Sequence, residues 1–286
     1  MIPPLVKMSL LAVMFSLFTQ TLISQVEVPQ ASPRGKVEQR VGVMDVSISY
    51  SRPGIKGRRI FGGLVPYGEE WRTGANARTT ISFSDSVKVE GHPVPAGTYS
   101  LFTIPGEEEW TIILNRQTSG GVKRDPREDV VKFKVKSMLT GTPIETFTID
   151  IADITTNTAN VMLAWENTVV KFRMAFDVDA KVMAEIKKSM ENPLAGAAST
   201  YYQSASYYFT TNKDLKTALE WVNKSIEIND KPFTVWRLKS QIQAGLGDYK
   251  GAIASAEISK AKALEAGNEQ FVKYNEDAIA TWSSRE

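Results

Sequence analysis

Between Val37 and Asp177 apolar residues recur at alternate positions, the period of a strand with one buried face. Met44, Val46, Ile48 and Tyr50 share one face of the run from Val43 to Tyr50, and Val131-Lys132-Phe133-Lys134-Val135-Lys136 is the cleanest alternation in the chain. Further runs at 79–83, 87–89, 98–104, 110–114, 147–151, 159–165 and 169–174 are rich in β-branched and aromatic residues and are punctuated by Gly, Pro, Asn and Asp. The word Gly91-His92-Pro93 is expected to form a turn after Val89. Nine short strands with no helical stretch between them predict an antiparallel β-sandwich or jelly-roll-like domain over residues 32–177. Past Asp177 the period lengthens to that of a helix. Val182, Ile186 and Met190 fall on one helix face, and Asn192-Pro193 is expected to end that helix.

A repeat of 34 residues follows, with copies at 199–232 and 233–266. It aligns Tyr202 with Trp236, Ala205 with Lys239, Ser206 with Ser240, Ala218 with Ala252 and Leu219 with Ile253. The turn words Asn212-Lys213-Asp214-Leu215 and Leu246-Gly247-Asp248-Tyr249 align as well. Spacing and small residues resemble tetratricopeptide repeats, a family that implies helix pairs and a surface for a peptide or partner protein. Two departures stand out: Lys239 takes a position where that family usually has Leu, and the first copy lacks the turn Gly. Phe271, Tyr274, Ala278 and Trp282 mark a third helix, Glu269 to Trp282, expected to cap the repeats. The fold expected is therefore mainly β plus α, with a small tetratricopeptide-like helical domain over 180–286.

The first residues read as a targeting segment. Lys7 precedes an apolar run from Met8 to Phe18, too short to span a bilayer and of the size of a signal-peptide core, so residues 1–24 are expected to be removed near Ser24. The chain has no Cys, which rules out a lipoprotein anchor, disulfides, thiolate metal sites and a Cys nucleophile. The expected location is periplasmic or secreted, with no transmembrane span once the signal is cut. A formal net charge of +2 gives no reason to expect nucleic acid as a partner.

The segment from Tyr50 to Thr79 is where chemistry is most expected. It is a long connection between strands, dense in Gly, Arg and aromatics, and long connections in compact domains are often functional. Arg52, Lys56, Arg58, Arg59, Arg72 and Arg78 outnumber Glu69 and Glu70. On one reading Arg58, Arg72 and Asn76, with Tyr67 and Trp71, line a pocket whose arginines grip an anion while its aromatics stack on a ring or sugar. On the other, the same side chains pin the connection by satisfying its carbonyls. Elsewhere the chemistry is sparse. His92 is the single His, so neither a zinc site nor a Ser-His-Asp triad is expected, and neither metal nor cofactor is called for. Phosphate-loop words are absent. Glu107 to Glu109 reads as a solvated hairpin tip, while Glu145 and Glu166 remain as carboxylates for acid–base work.

The words Ser32-Pro33-Arg34, Tyr50-Ser51-Arg52-Pro53, Lys56-Gly57-Arg58, Ile60-Phe61-Gly62, Leu64-Val65-Pro66-Tyr67-Gly68, Trp71-Arg72-Thr73-Gly74-Ala75-Asn76, the stretch Pro95 to Gly106, Glu109-Trp110-Thr111, Glu145-Thr146-Phe147-Thr148 and Trp165-Glu166 closely resemble the domain-of-unknown-function family 2911. The likeness covers roughly residues 32–176 and implies an exported protein of a Bacteroidetes-type bacterium. It brings no activity, cofactor or catalytic residue. One departure is visible: the family's Trp-Gly pair after Asn115 is replaced by Thr118-Ser119-Gly120-Gly121-Val122. Two functions follow as expectations. The leading one is a non-catalytic binding or assembly module of the envelope, reaching a protein or peptide through its helical domain. The rival is an enzyme on a glycan or other anionic small molecule, with Glu166 as acid/base and Arg72 as clamp. The candidate ligand-binding set common to both is Arg58, Tyr67, Trp71, Arg72, Asn76 and Glu166.

Overall fold

A computed structural model describes residues 28–120, 122–191 and 197–285. The chain divides into two compact units between Phe176 and Asp177. The signal segment and the Asn192-Pro193 break lie outside the described residues.

The first unit is one open sheet of nine antiparallel strands: β1 (Arg34–Val41), β2 (Met44–Ser51), β3 (Thr80–Phe83), β4 (Val87–Val89), β5 (His92–Val94), β6 (Gly97–Ile104), β7 (Glu109–Asn115), β8 (Asp129–Ala152) and β9 (Thr158–Phe176). Their order across the sheet is β1-β2-β3-β6-β7-β8-β9-β4-β5. The long strand β8 turns the sheet. Its first part, to Lys136, pairs with β7, and from Ser137 onward it pairs with β9 through two irregularities. The sheet thereby folds back on itself. The Tyr50 hydroxyl on β2 donates to the carbonyl of Ile149 on β8 at 3.1 Å and accepts from the Ile149 N–H at 2.9 Å. Alternation sets the inner face: Met44, Val46, Ile48 and Tyr50 are buried, as are Ile149, Val161 and Leu163.

The strand count agrees with expectation for the wrong reason. The runs 131–136 and 147–151 are one strand, and so are 159–165 and 169–174. The punctuation that divided them marks bulges rather than turns, with Glu166 in β9 at φ 52°. In exchange, β1 and β5 were not expected. β1 is a charged edge strand whose alternation is half-exposed, a common way of blunting an edge. His92 and Pro93 open β5, and the turn before them is made by Glu90 and Gly91, both at positive φ. His92 lies exposed against the ring of Phe133.

The second unit holds six antiparallel helices: α1 (Val178–Glu191), α2 (Ala197–Thr210), α3 (Leu215–Ile228), α4 (Phe233–Gly245), α5 (Tyr249–Glu265) and α6 (Glu269–Ser283). Asp214 and Asp248 cap α3 and α5 in equivalent positions of the two copies. In the first copy, which lacks the turn Gly, the positive φ falls one position earlier: Asn212 takes 52°, whereas Gly247 of the second copy takes 82°. Ala205, Ala218, Val222, Val235, Leu238 and Ile242 form one core. α5 buries Ala252, Ser255, Ala256, Ser259 and Ala263, a face of small side chains that lets neighbouring helices approach. Lys239 is half-buried and lies over the Trp236 ring. On α6 the buried position is Asn275, whose amide donates to Ser259, while Tyr274 is 41% exposed at the rim.

Of the expected α1 face only Ile186 is buried. A polar tie holds α1 to α2 instead: Asp179 accepts from the Tyr207 hydroxyl at 2.7 Å and pairs with Lys213 at 2.8 Å. The Lys213 hydrogen bond, then that of Tyr207, holds the Asp179 carboxyl below its usual range. Burial, and then the bond to Asp179, pushes the Tyr207 phenol up to about 12. A lowered carboxyl contributes stability above its unfolded pKa that is lost as pH falls through the folded value. A raised phenol contributes below its unfolded pKa and is lost as pH rises through about 12. The α1–α2 contact is therefore expected to loosen at both extremes. Tyr207 ring resonances followed against pH should report both transitions, and Asp179→Asn should remove the acidic one.

Candidate functional site

Two aromatic residues of the connection 52–79 between β2 and β3, Phe61 and Trp71, belong to the core. Trp71 is 9% exposed. Its ring stacks on Trp165 of β9 with centroids 5.9 Å apart and planes at 18°, and lies 5.1 Å from Phe147 of β8. Phe61 packs edge-on against Trp110 of β7 at 4.8 Å. Such tilted and offset contacts suit the quadrupoles of the rings. The backbone follows the rings. Trp71 exchanges both hydrogen bonds with Thr103 of β6, and Phe147 donates its N–H to Pro53.

The word Trp71 to Asn76 is a tight turn tied to itself. The indole N–H of Trp71 donates to the Gly74 carbonyl at 3.0 Å, and Thr73 and Asn76 take positive φ. Gly74 sits at φ 149°, where a Cβ would stand 3.1 Å from the Ser51 carbonyl oxygen and 3.2 Å from Thr79 Oγ1, so a side chain there is strained and crowded.

Most of the basic excess is spent on carbonyls. Arg52 donates to Phe147 O and Thr148 Oγ1, Arg58 donates to Ile55 O at 2.9 Å and Gly54 O at 2.6 Å, and Arg78 donates to Gln117 O and Lys123 O. Buried Arg124, from the connection after β7, pairs with Glu70 and Asp129. Arg72 differs. Its Nε is buried with no protein acceptor, and among the described residues no hydrogen bond or ion pair reaches its guanidinium. A buried donor left unmet costs about 1–3 kcal/mol, more when charged.

Arg72 lines a cavity of about 270 Å³ together with Arg58, Trp71, Trp165, Leu64 and Val65. Ser32, Pro53, Gly74 and Ala75 complete the wall. All of these residues fall in the sequence words that carry the family resemblance. Of the six residues expected at a site, three meet here: Arg58, Trp71 and Arg72. Tyr67 packs its ring on the backbone of Gly62, and Asn76 donates to Ser32 O at 3.2 Å. Glu166 is turned to the connection's backbone, its carboxylate accepting from the N–H groups of Ile60 at 3.3 Å and Phe61 at 3.5 Å. Glu145 likewise accepts from Lys56 N–H at 3.0 Å. Pro53 and Leu64 escaped notice because nothing in their type signals a lining role. Trp165 was visible only as the neighbour of Glu166.

A larger groove of about 510 Å³ runs across the outer face of β1, β2, β3 and β6. It is shallow and its charges offset one another: Arg40 lies 4.0 Å from Asp45, and the Asp45 N–H is met by Ser84 Oγ. Among the described residues no three His or carboxylate side chains gather in a way that would hold a metal ion, and no helix is long and apolar enough to cross a membrane.

A family model described as a protein of unknown function, DUF2911, matches residues 32–174. The chain belongs to that family. The matched span coincides with the β unit and ends in β9, leaving the helices outside it. No curated protein matches the chain. Among solved structures, the solution structure of protein BPP2914 from Bordetella parapertussis is similar at 16% identity, covering 36% of this chain and 87% of that one, with a TM-score of 0.32. A likeness that slight carries no argument about fold or function. The family's departure after Asn115 falls on a connection held by Arg78 and by Asn115, whose amide donates to Asp125 and Asp129, away from the cavity wall.

Two variants separate the pins from the cavity residue. Arg78→Met removes donors from two carbonyls and is expected to cost about 1.5–3 kcal/mol in denaturant unfolding. Arg72→Met removes a cation that no protein group compensates and is expected to leave stability within about 0.5 kcal/mol of the parent, or raise it. Trp71→Ala is expected to cost about 3–5 kcal/mol, since it opens the cluster at its centre.

Proposed function

We propose that the protein is an exported, non-catalytic binding module whose β unit holds an anionic small molecule in the cavity at Arg72. One observation carries the reading: Arg72 is the cavity's cation with a buried, unmet donor, in a unit where Arg52, Arg58, Arg78 and Arg124 all have protein partners. The Nε itself is covered, so a ligand's acceptor falls on the unpaired Nη groups of the same guanidinium. We read the folded-back sheet as sandwich-like and the helix pairs as tetratricopeptide-like, a scaffold for docking an envelope protein or peptide. The apolar run at 8–18 and the absence of Cys support a periplasmic or secreted location.

The rival reading gives Glu166 an acid–base role. Its carboxylate is engaged with two backbone N–H groups and is not part of the cavity wall, which favours a structural role. The experiment compares Arg72→Ala with Glu166→Gln in calorimetric titrations against a panel of small anions, with near-UV circular dichroism as the check on folding. Arg72→Ala is expected to lose binding while staying folded, and Glu166→Gln to keep it. Turnover of any panel member that disappears in Glu166→Gln would return the enzyme to first place. For the helical unit, pull-downs from envelope extracts with and without residues 180–286 are expected to differ by at least one partner. Identical partner lists would remove the helices from the proposal.

A further inference from the structure

We propose that the cavity is selective for a small monocarboxylate with an apolar body, aromatic or branched aliphatic, whose carboxylate sits on Arg72. The inference rests on the anion-binding reading above and narrows it to a chemical class.

Charge sets the head group. The wall carries two cations, Arg58 and Arg72, and neither a carboxylate nor a side-chain amide. Arg58 already donates its Nε and one Nη to the carbonyls of Ile55 and Gly54, which fixes it in place and leaves its second Nη as what it can offer a ligand. Arg72 keeps its guanidinium without a protein partner: its Nε is covered, and its two Nη groups form the edge left for a ligand. One guanidinium edge offers two parallel N–H groups, the geometry that matches the two oxygens of a carboxylate. A phosphate fits a guanidinium edge as well, and it is the apolar wall that favours a monocarboxylate with an organic body.

The rest of the wall sets the body. Pro53, Leu64, Val65 and Ala75 are apolar, and Trp71 and Trp165 present ring atoms, because the indole N–H of each is taken by a carbonyl, of Gly74 and Glu145 respectively. Ser32 is the single neutral polar side chain lining it. A sugar would bury several hydroxyls against this surface with almost nothing to receive them, at about 1–3 kcal/mol for each left unmet. The glycan expected as an alternative ligand is thereby disfavoured.

Volume sets the size. The cavity is small, at about 270 Å³. Benzoate, phenylacetate and isovalerate are of that size, whereas nucleotides and oligosaccharides exceed it.

The test uses the full chain, with the Arg72 Nε–H resonance and tryptophan emission as readouts. The probes are benzoate, phenylacetate, benzyl alcohol, inorganic phosphate, sulfate and glucose. Benzoate and phenylacetate are expected to shift both signals saturably, while benzyl alcohol, similar in size but uncharged, leaves them unmoved. In Arg72→Met the benzoate affinity is expected to fall roughly 10- to 150-fold, as for loss of a charged hydrogen bond. Phosphate or sulfate moving the Arg72 resonance while benzoate does not would overturn the carboxylate class and leave the anion reading standing. Silence from every anion would overturn both. Benzoate bound equally well by Arg72→Met, or benzyl alcohol bound as well as benzoate, would overturn the assignment to Arg72. Should Arg72→Met fail to fold, Arg72→Lys takes its place: it keeps the charge without the two-pronged edge, and the expected fall in benzoate affinity remains.

Discussion

Trp71 is a residue of an irregular connection that packs as a core residue. Its ring packs against both Trp165 and Phe147, which also touch each other, and its backbone pairs with Thr103 as if it were a strand. Backbone that enters a core must have its N–H and C=O groups met, because water cannot meet them there. This one requirement accounts for much of the unit: the Trp71 indole on Gly74, the Glu166 carboxylate on backbone N–H groups, and Arg52 and Arg78 on carbonyls satisfy buried or part-buried groups, while Glu145 and Arg58 make ties of the same kind at the surface. The cavity is a by-product of the same packing. It opens where two indoles meet a turn too tight to fill the space beside them.

Against that background the electrostatics of Arg72 become informative. A basic stretch in a sequence invites the idea of an anion, yet charge excess alone says little when most of the cations are structural donors. Arg58 shows how one side chain serves both purposes, lining the cavity while its donors remain with the backbone. Arg72 is set apart by what it lacks, an acceptor for a covered Nε. The distinction is one of desolvation, since the same guanidinium exposed to water would need no partner.

The helical unit rests on different physics. Its close packing comes from small side chains, and its polar interior is satisfied through a few hydroxyls and amides. Ser255 donates to Gln243, which donates in turn to the cap residue Asp248, so the α4–α5 turn is locked from inside. Asn275, buried against Ser259, places an amide at the centre of a helix face that periodicity alone marks with aromatics. Burial by periodicity assigns faces well and individual positions less well, because the choice between adjacent residues depends on where the neighbouring helix lies.

Periodicity by itself determined the antiparallel β unit, the change to helices near Asp177 and the inner faces of β2 and β6 to β9, because a strand with one buried face must alternate. Local chemistry determined the caps at Asp214 and Asp248, since a cap is satisfied within a few residues of itself. The merging of four expected strands into β8 and β9 was decided by the tertiary structure: a bulge and a turn use the same residue types and differ only in whether the chain keeps its partner. The same holds for the site. The sequence singled out Arg58, Trp71 and Arg72, but that they converge, that Glu166, Tyr67 and Asn76 face elsewhere, and that Arg72 lines the cavity with its Nε covered and unmet are consequences of contacts between distant strands. Convergence and burial are properties of three-dimensional neighbours, and no spacing along the chain encodes them.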